Sequence, residues 1–141
     1  MKSRLALLVS LAMFFVQGHT LGQSDTWTDP ATKLMWATQD NGADVDWNQA
    51  GNYCSNLRLG GYANWRLATI DELAGIYDET QDVNGHHIKG GIKLSGWPWS
   101  SSPGNTSGDA WVFFFTTGER LSDHLAYNAL KRALCVRRSG K

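Results

Sequence analysis

The sequence predicts one α+β domain, because two helix signals come early in the chain and strand signals follow them. The first helix is predicted to begin after Asp46 and the second after Thr69. Extended segments are then predicted at 97–101, 110–116 and 129–138. Helices followed by strands that pair as hairpins are typical of an α+β fold, whereas regular alternation of helix and strand would favour a parallel sheet.

The N-terminus has the layout of a cleavable export signal. Lys2 and Arg4 precede a mainly apolar run from 5 to 16, and small and polar residues follow it. The run is about 12 residues long, whereas a helix that spans a bilayer needs roughly 20. We therefore expect 1–22 to be a signal peptide and 23–141 to be one exported domain, periplasmic or secreted from a bacterium. A buried N-terminal helix and an uncleaved anchor are the alternatives.

The composition of the expected mature domain argues against a nucleic-acid partner. Without Lys2 and Arg4, the chain has 11 basic and 13 acidic residues. A nucleic-acid-binding domain would show a strongly basic stripe. No second apolar segment reaches membrane length, so no membrane span is expected after cleavage. All seven tryptophans lie in the mature part, which together with many glycines predicts a compact fold rich in loops.

The cysteine content favours one structural disulfide. Cys54 and Cys135 are the only two cysteines, and an even count in an exported chain favours pairing. Closing a loop of about 80 residues should stabilise the fold by roughly 4 kcal/mol if chain entropy dominates. Two buried free thiols are the alternative. A redox-active pair is disfavoured because the spacing is not Cys-x-x-Cys.

An N-terminal strand pair is predicted around a turn that contains Pro30. The strands are 26–28 and 34–36, and the turn is 29–32. Proline at the second position of a turn presets the φ angle that the turn needs. A polar loop from 39 to 45 then leads to the first helix.

The first helix is predicted from a capping box. Asp46 can accept hydrogen bonds from the free amides of the first turn, and Gln49 three residues later can return one. Apolar residues then recur at i, i+3, i+4 and i+7, which predicts a buried face. These residues are Ala50, Tyr53, Cys54 and Leu57. Gly60–Gly61 is predicted to end the helix.

The second helix repeats this pattern after a short extended segment at 65–68. Thr69 and Glu72 form its capping box, and its apolar stripe consists of Ile70, Leu73, Ala74 and Tyr77. A long irregular loop is predicted for 78–95. Gly118 then predicts a hairpin turn.

Several short motifs occur in a familiar order. They are Trp47–Ala50, Tyr53–Cys54, Asn64–Leu73, Trp99–Ser102, Ala110–Phe113 with Gly118, and Cys135–Arg137. In this order they resemble the Lcl C-terminal domain family over residues 25–138. One departure is Ala68, which stands where the family pattern Trp-Arg-Leu-Pro-Thr has proline.

The resemblance implies a fold related to C-type-lectin-like domains and to formylglycine-generating enzymes. Two helices would flank a small antiparallel sheet, and long loops would carry any site. A disulfide from the first helix to the last strand is typical of C-type-lectin-like domains, in agreement with the pairing of Cys54 and Cys135. Calcium-dependent sugar binding does not carry over, because the Glu-Pro-Asn or Gln-Pro-Asp and Trp-Asn-Asp motifs are absent from this sequence.

Two groups of residues are candidates for ligand binding. Basic residues cluster near the C-terminus, at Lys131, Arg132, Arg137, Arg138 and Lys141. Guanidinium groups suit sulfate through paired hydrogen bonds, and the family's namesake adhesin implies sulfated glycans as partners. The alternative is a solvated strand end. Trp97 and Trp99 share a strand face and form either a sugar-stacking platform or part of the core.

Trp65, Arg66 and Glu72 form the strongest local motif. Arg66 and Glu72 are either a recognition pair or, as we favour, a structural tie between strand and helix.

No catalytic or metal site is predicted. Ser100–Ser102 lack the glycine elbow and the His-Asp partners of a serine nucleophile. His86–His87, with Asp82 and Asn84, form only a fragment of a calcium loop, and adjacent histidines on a strand would point to opposite sides. We expect neither metal nor cofactor.

The functional hypothesis is an exported binding module for a glycan or an envelope protein, with no enzymatic activity. Its site is expected at the 78–109 loops and the basic C-terminus. An enzyme of the formylglycine-generating type and a structural envelope component are the alternatives.

Overall fold

The computed structural model describes residues 24–140. The predicted signal peptide and Lys141 lie outside the described residues. Within 24–140, no helix is long and apolar enough to cross a membrane. This part of the chain contains two α-helices and two four-stranded sheets, which confirms the α+β class.

The elements have the following bounds. The strands are β1 (Thr26–Thr28), β2 (Leu34–Ala37), β3 (Arg66–Leu67), β4 (Trp97–Pro103), β5 (Asp109–Phe114), β6 (Glu119–His124), β7 (Lys131–Arg132) and β8 (Cys135–Arg138). The helices are α1 (Trp47–Asn56) and α2 (Ile70–Gly75), and a 3₁₀ turn covers Lys89–Gly91.

The strands form two sheets where one small sheet was expected. The first sheet has the order β1-β2-β8-β3 and is antiparallel throughout. The second has the order β6-β5-β4-β7, and its β4–β7 pair is parallel, with Trp97 opposite Lys131. The expectation of a single antiparallel sheet is therefore wrong in the number of sheets and in one pairing.

The C-terminal segment links the two sheets. One strand was predicted over 129–138, but β7 belongs to the second sheet and β8 to the first. Every residue from 131 to 137 is buried. The segment pairs with β4 through β7, and with β2 and β3 through β8. Successive residues alternate between two buried clusters, with Ala133 in one and Leu134 in the other.

Both helices start as the capping boxes predict. In α1, the Gln49 amide donates to Asp46 at 2.8 Å, and the Asp46 amide donates to the Gln49 side chain at 2.9 Å. In α2, the Glu72 amide donates to Thr69 Oγ1 at 3.1 Å. The side chains of Asp46 and Thr69 thus each accept from one first-turn amide that has no partner within its helix.

The predicted end of α1 and one residue of its apolar face are wrong. The helix stops at Asn56 because Leu57 is already extended. Gly60–Gly61 instead form the tight turn between Leu59 and Tyr62, which bridge to each other. Ala50 and Cys54 are fully buried, but Tyr53 is 39% exposed, because it lies at the flank of the buried stripe.

The disulfide between Cys54 and Cys135 is present and joins α1 to β8. The two Cα atoms are 5.5 Å apart, and the bond closes 81 residues of sequence separation. Both cysteines are buried in the cluster that also holds Trp99 and Val112. The bridge therefore ties the first helix to an inner strand of the first sheet.

The loop from 78 to 95 is irregular, as predicted, but it is anchored in the core. Ile88 and Ile92 are fully buried. Gly90 has a φ of 73° and lies directly against the indole of Trp27, where an added Cβ would overlap the ring. Glycine at this position thus meets both a backbone and a space requirement.

Candidate functional site

Trp97 and Trp99 do not form an exposed platform. Trp99 is fully buried, and its indole N–H donates to the backbone oxygen of Val45 at 2.9 Å. Trp97 is half-buried and meets Phe114 edge-on, with ring centroids 4.5 Å apart. Sugar stacking needs a free ring face, and Trp99 has none because it packs in the core. The platform prediction is therefore wrong for Trp99.

Lys131 is buried beside these two tryptophans. Its Nζ lies 2.9 Å from a carboxylate oxygen of Asp123. It also lies 5.3 Å from the ring centroid of Trp97 and 5.9 Å from that of Trp99. A carboxylate together with two ring faces satisfies the ammonium inside the domain, so Lys131 is not presented to solvent.

Arg132 is buried in a polar network at the edge of the second sheet. Its Nη1 donates to Asp44 at 2.7 Å, and its Nε donates to the Ser95 hydroxyl at 2.8 Å. The hydrogen bond from Arg132 lowers the pKa of Asp44. These contacts tie the loop before α1 to the segment that leads into β4.

Arg137 and Arg138 have opposite environments. Arg137 is 2% exposed and donates from Nε to the backbone oxygen of Ala63 at 2.9 Å. Its guanidinium lies 4.4 Å from the ring centroid of Tyr62 and 6.0 Å from that of Trp65. Arg138 is exposed at the end of β8, on the strand face opposite to that of Arg137.

The predicted basic cluster at the C-terminus is therefore wrong as a continuous surface. Lys131, Arg132 and Arg137 are buried and engaged within the domain, and among the described members of the cluster only Arg138 is exposed. The internal partners explain why these cations can be buried.

Arg66 and Glu72 form the structural tie that the sequence favoured. Arg66 donates from both terminal nitrogens to Glu72, at 2.7 and 2.9 Å. The hydrogen bond from Arg66 lowers the pKa of Glu72, and the same bond raises the pKa of Arg66. Glu72 also accepts from the Thr69 amide at 2.8 Å, and the Trp65 indole donates to Tyr62 at 3.1 Å. Strand β3 is thus joined to the start of α2.

An open cleft of about 420 Å³ brings three exposed cations together. It is lined by Thr32, Lys33, Leu34, Arg66, Glu72, Arg138 and Ser139. Three of these side chains are cationic, and Glu72 is the one carboxylate among them. We call this feature the cationic cleft. Its walls come from the β1–β2 turn, the start of α2 and the end of β8.

Sequence reasoning missed Lys33 as a member of this cleft. Lys33 follows the predicted turn and has a φ of 64°. Its backbone oxygen accepts from the amide and the hydroxyl of Ser139, at 3.3 and 2.6 Å. A contact across 106 residues leaves no local signal; only the polar turn itself was visible in the sequence.

The comparisons with known proteins give one family. The model of the Lcl C-terminal domain matches residues 25–137, which is most of the chain. This chain belongs to the Lcl C-terminal domain family. A search of the curated proteins finds no match.

The serines of this Lcl C-terminal domain serve the fold. Ser100 is fully buried. The Ser102 hydroxyl accepts from the Ile70 amide at 2.9 Å, and that of Ser101 lies 3.3 Å from the backbone oxygen of Ala68. The Ser101 amide donates to the same oxygen at 2.8 Å. These bonds attach β4 to the start of α2.

The histidine loop has local hydrogen bonds. Asp82 accepts from the Gly85 amide at 2.7 Å, and Nδ1 of His87 lies 2.8 Å from the Gln81 oxygen. Nδ1 of His86 is buried without a hydrogen-bond partner among the described residues. Across residues 24–140, no three His, Cys, Asp or Glu side chains are grouped as metal ligands.

Proposed function

We propose that this Lcl C-terminal domain is an exported, non-catalytic module that binds anionic glycans in the cationic cleft. The observation that carries the proposal is the convergence of Lys33, Arg66 and Arg138 on one open surface. The proposal includes a C-type-lectin-like fold, which the disulfide from α1 to β8 supports, and export by the N-terminal signal.

The charge balance of the cleft favours an anionic ligand. Glu72 is already hydrogen-bonded to both terminal nitrogens of Arg66. Lys33 and Arg138 have no ion pair with any described residue, so both are available to sulfate or carboxylate groups. A guanidinium can bind such groups through two parallel hydrogen bonds, and an ammonium adds a point charge.

The first experiment measures binding of residues 23–141 to heparin, fully desulfated heparin and dextran, at low and high salt. We expect calcium-independent binding that is strongest for heparin, weaker for desulfated heparin, which keeps its carboxylates, and absent for dextran. High salt should weaken it because exposed charges are screened. The double variant Lys33→Gln with Arg138→Gln should bind at least about tenfold more weakly, which corresponds to about 1.4 kcal/mol.

The matched control is the double variant Arg58→Gln with Lys93→Gln. It removes the same two charge types from exposed residues outside the cleft, so heparin affinity should change less than threefold. Equal losses in both double variants would mean attraction to net charge without a site. Absence of heparin binding in the wild type would refute the proposed function.

The enzymatic alternative requires a reactive thiol. Both cysteines are buried and paired with each other, which supports a binding role over chemistry of the formylglycine-generating type. Thiol titration of the native protein should find no reactive group, and a readily titrating cysteine would favour the enzyme. A structural envelope component would instead copurify with a protein and bind no glycan.

A further inference from the structure

A second concave surface runs along the exposed face of α1, remote in sequence from the cationic cleft. It is a groove of about 580 Å³, lined on the helix by Gln49, Asn52, Tyr53 and Asn56. Their spacing of i, i+3, i+4 and i+7 places them on one helix face. A smaller hollow of about 180 Å³ adjoins it, and Tyr53 and Leu57 line both. We call the two hollows together the Tyr53 groove.

Tyr53 is an aromatic side chain that the fold leaves uncommitted. It is 39% exposed, and it has neither a ring contact nor a hydrogen bond with another described residue. Tyr62 is exposed to a similar extent, at 36%, but its ring covers the guanidinium of Arg137 at 4.4 Å. The ring of Tyr53 is therefore free to contact a ligand.

The amides beside Tyr53 are also available. Asn52 and Asn56 are exposed, and neither side chain is hydrogen-bonded to a described residue. Gln49 uses its side-chain oxygen to accept from the Asp46 amide, which leaves its NH₂ group available to a ligand. Each amide offers both a donor and an acceptor, which is the combination that a hydroxyl group requires.

Two of the four charged residues that line the groove are engaged by neighbouring residues. Asp44 is paired with Arg132 at 2.7 Å. Asp40 accepts from the amide and the hydroxyl of Ser95, at 2.6 and 2.8 Å. The remaining charged groups, Asp25 and Arg58, have opposite signs and line different hollows. The lining therefore favours an uncharged ligand over an ionic one.

We propose that the Tyr53 groove binds a neutral oligosaccharide. The apolar face of a sugar ring would pack on Tyr53, and its hydroxyls would bond to the amides of Asn52 and Asn56. The hollows on the two sides of Tyr53 favour a ligand long enough to enter both. A peptide fits less well, because peptide recognition uses a free strand edge or a groove with several apolar anchors, whereas five of the eight residues that line the larger hollow are polar.

The test is a titration of ¹⁵N-labelled residues 23–141 with cellotetraose, chitotetraose and maltotetraose, followed by amide chemical shifts. We expect at least one saccharide to give saturable shifts confined to residues 25, 37–40 and 44–59, which contain the lining of both hollows. High salt should leave the affinity unchanged, because no ion pair forms. The Lys33→Gln with Arg138→Gln variant should also retain this binding, which separates the groove from the proposed function of the cleft.

Variants of α1 test whether the saccharide binds at the Tyr53 groove. Tyr53→Ala should lower the saccharide affinity at least tenfold, whereas Tyr53→Phe should stay within threefold because the ring remains. The double variant Asn52→Ala with Asn56→Ala should lose at least fivefold, and it should fold because alanine favours helix. Tyr127→Ala removes a tyrosine that is 60% exposed elsewhere, and Asn48→Ala removes an exposed amide of α1 outside the groove; both should bind normally.

Three results would overturn the proposal. The first is the absence of saturable shifts with all three saccharides, while the spectrum shows a folded domain. The second is an equal loss of affinity in Tyr53→Ala and Tyr127→Ala. The third is saturable binding of tetra-alanine at the same amides without any saccharide response, which would assign the groove to peptides.

Discussion

The basic residues of this Lcl C-terminal domain fall into two regions that use the same chemistry differently. In the C-terminal segment, Lys131 and Arg137 are buried against carboxylate, carbonyl and aromatic partners. In the cationic cleft, Lys33 and Arg138 are exposed and have no ion pair with a described residue. Burial with internal partners makes a cation part of the fold, whereas exposure without a partner makes it available to a ligand.

The difference teaches that charge density along a sequence does not locate a charged surface. Arg137 and Arg138 are neighbours in β8, yet one is 2% exposed and the other lies at the surface. Strand alternation sends adjacent side chains to opposite faces. Which of the two side chains is buried depends on what packs against it, and here Tyr62 and Trp65 contact Arg137.

The largest contrast is expected between Lys131→Met and Lys33→Met. Lys131→Met leaves the Asp123 carboxylate, which is 16% exposed, without its cation. The free energy of unfolding should fall by about 3 kcal/mol, because an uncompensated buried charge is costly. Lys33→Met should change it by less than about 0.5 kcal/mol.

Urea unfolding at pH 7 measures both, with the disulfide intact. Adding Asp123→Asn to Lys131→Met should recover part of the loss, because the unpaired charge is then removed. A loss for Lys131→Met no larger than that for Lys33→Met would contradict the division between buried and exposed cations.

A smaller contrast is expected between Arg137→Ala and Arg138→Ala. Arg137→Ala removes the hydrogen bond to Ala63 and the packing against Tyr62. It should lower the free energy of unfolding by about 2 kcal/mol. Arg138→Ala should stay within about 0.5 kcal/mol and should weaken heparin binding instead. Urea unfolding and heparin binding of the same two proteins would give the reverse ranking if the assignment of these neighbours were wrong.

The smallest effect concerns Glu72, the carboxylate of the cleft. Arg66 lowers the pKa of Glu72 from its ordinary value of 4.5, so the folded state binds this proton less readily than the unfolded state does. The resulting stability is fully present above pH 4.5 and is lost as pH falls through the lowered folded value. Solvent screens the pair, since Arg66 is 44% exposed, and the effect should stay below about 1 kcal/mol.

Glu72→Gln tests this linkage and keeps an amide that can serve the capping box. The variant should unfold more easily than wild type at pH 7, and the gap should narrow as pH falls below 4.5. Glu79→Gln, which alters an exposed carboxylate outside the ion pairs, is the control and should show no such convergence. A gap that does not narrow as pH falls below 4.5 would contradict the role of the ion pair.

Local sequence patterns predicted the start of α1 and the centre of its buried face, but not the residue at the margin of that face. The capping box of Asp46 and Gln49 was readable because both partners lie within one turn. The periodicity placed Ala50 and Cys54 on the buried face correctly, but it assigned Tyr53 to the same face, whereas the ring lies in a groove. A periodicity of apolar residues defines a stripe about 100° wide, and residues at its margin depend on the neighbouring elements.

The cationic cleft shows the same limit for the candidate site. Arg66 and Glu72 were visible as a motif because they lie six residues apart. Arg138 was visible only as a member of a basic run, and Lys33 was not visible at all. The two meet because β2 pairs with β8, with Leu34 opposite Arg138, and such pairing across the whole chain has no local signature.

The sequence by itself determined the α+β class, the starts of both helices, the family and the disulfide between Cys54 and Cys135. These follow from interactions within a few residues, or from a pair that has no other partner. Only the tertiary structure decided that the last segment divides between two sheets, and that Lys131, Arg132 and Arg137 are buried while Arg138 is exposed. The physical reason is that burial depends on contacts between residues far apart in the chain, which the order of the residues alone does not reveal.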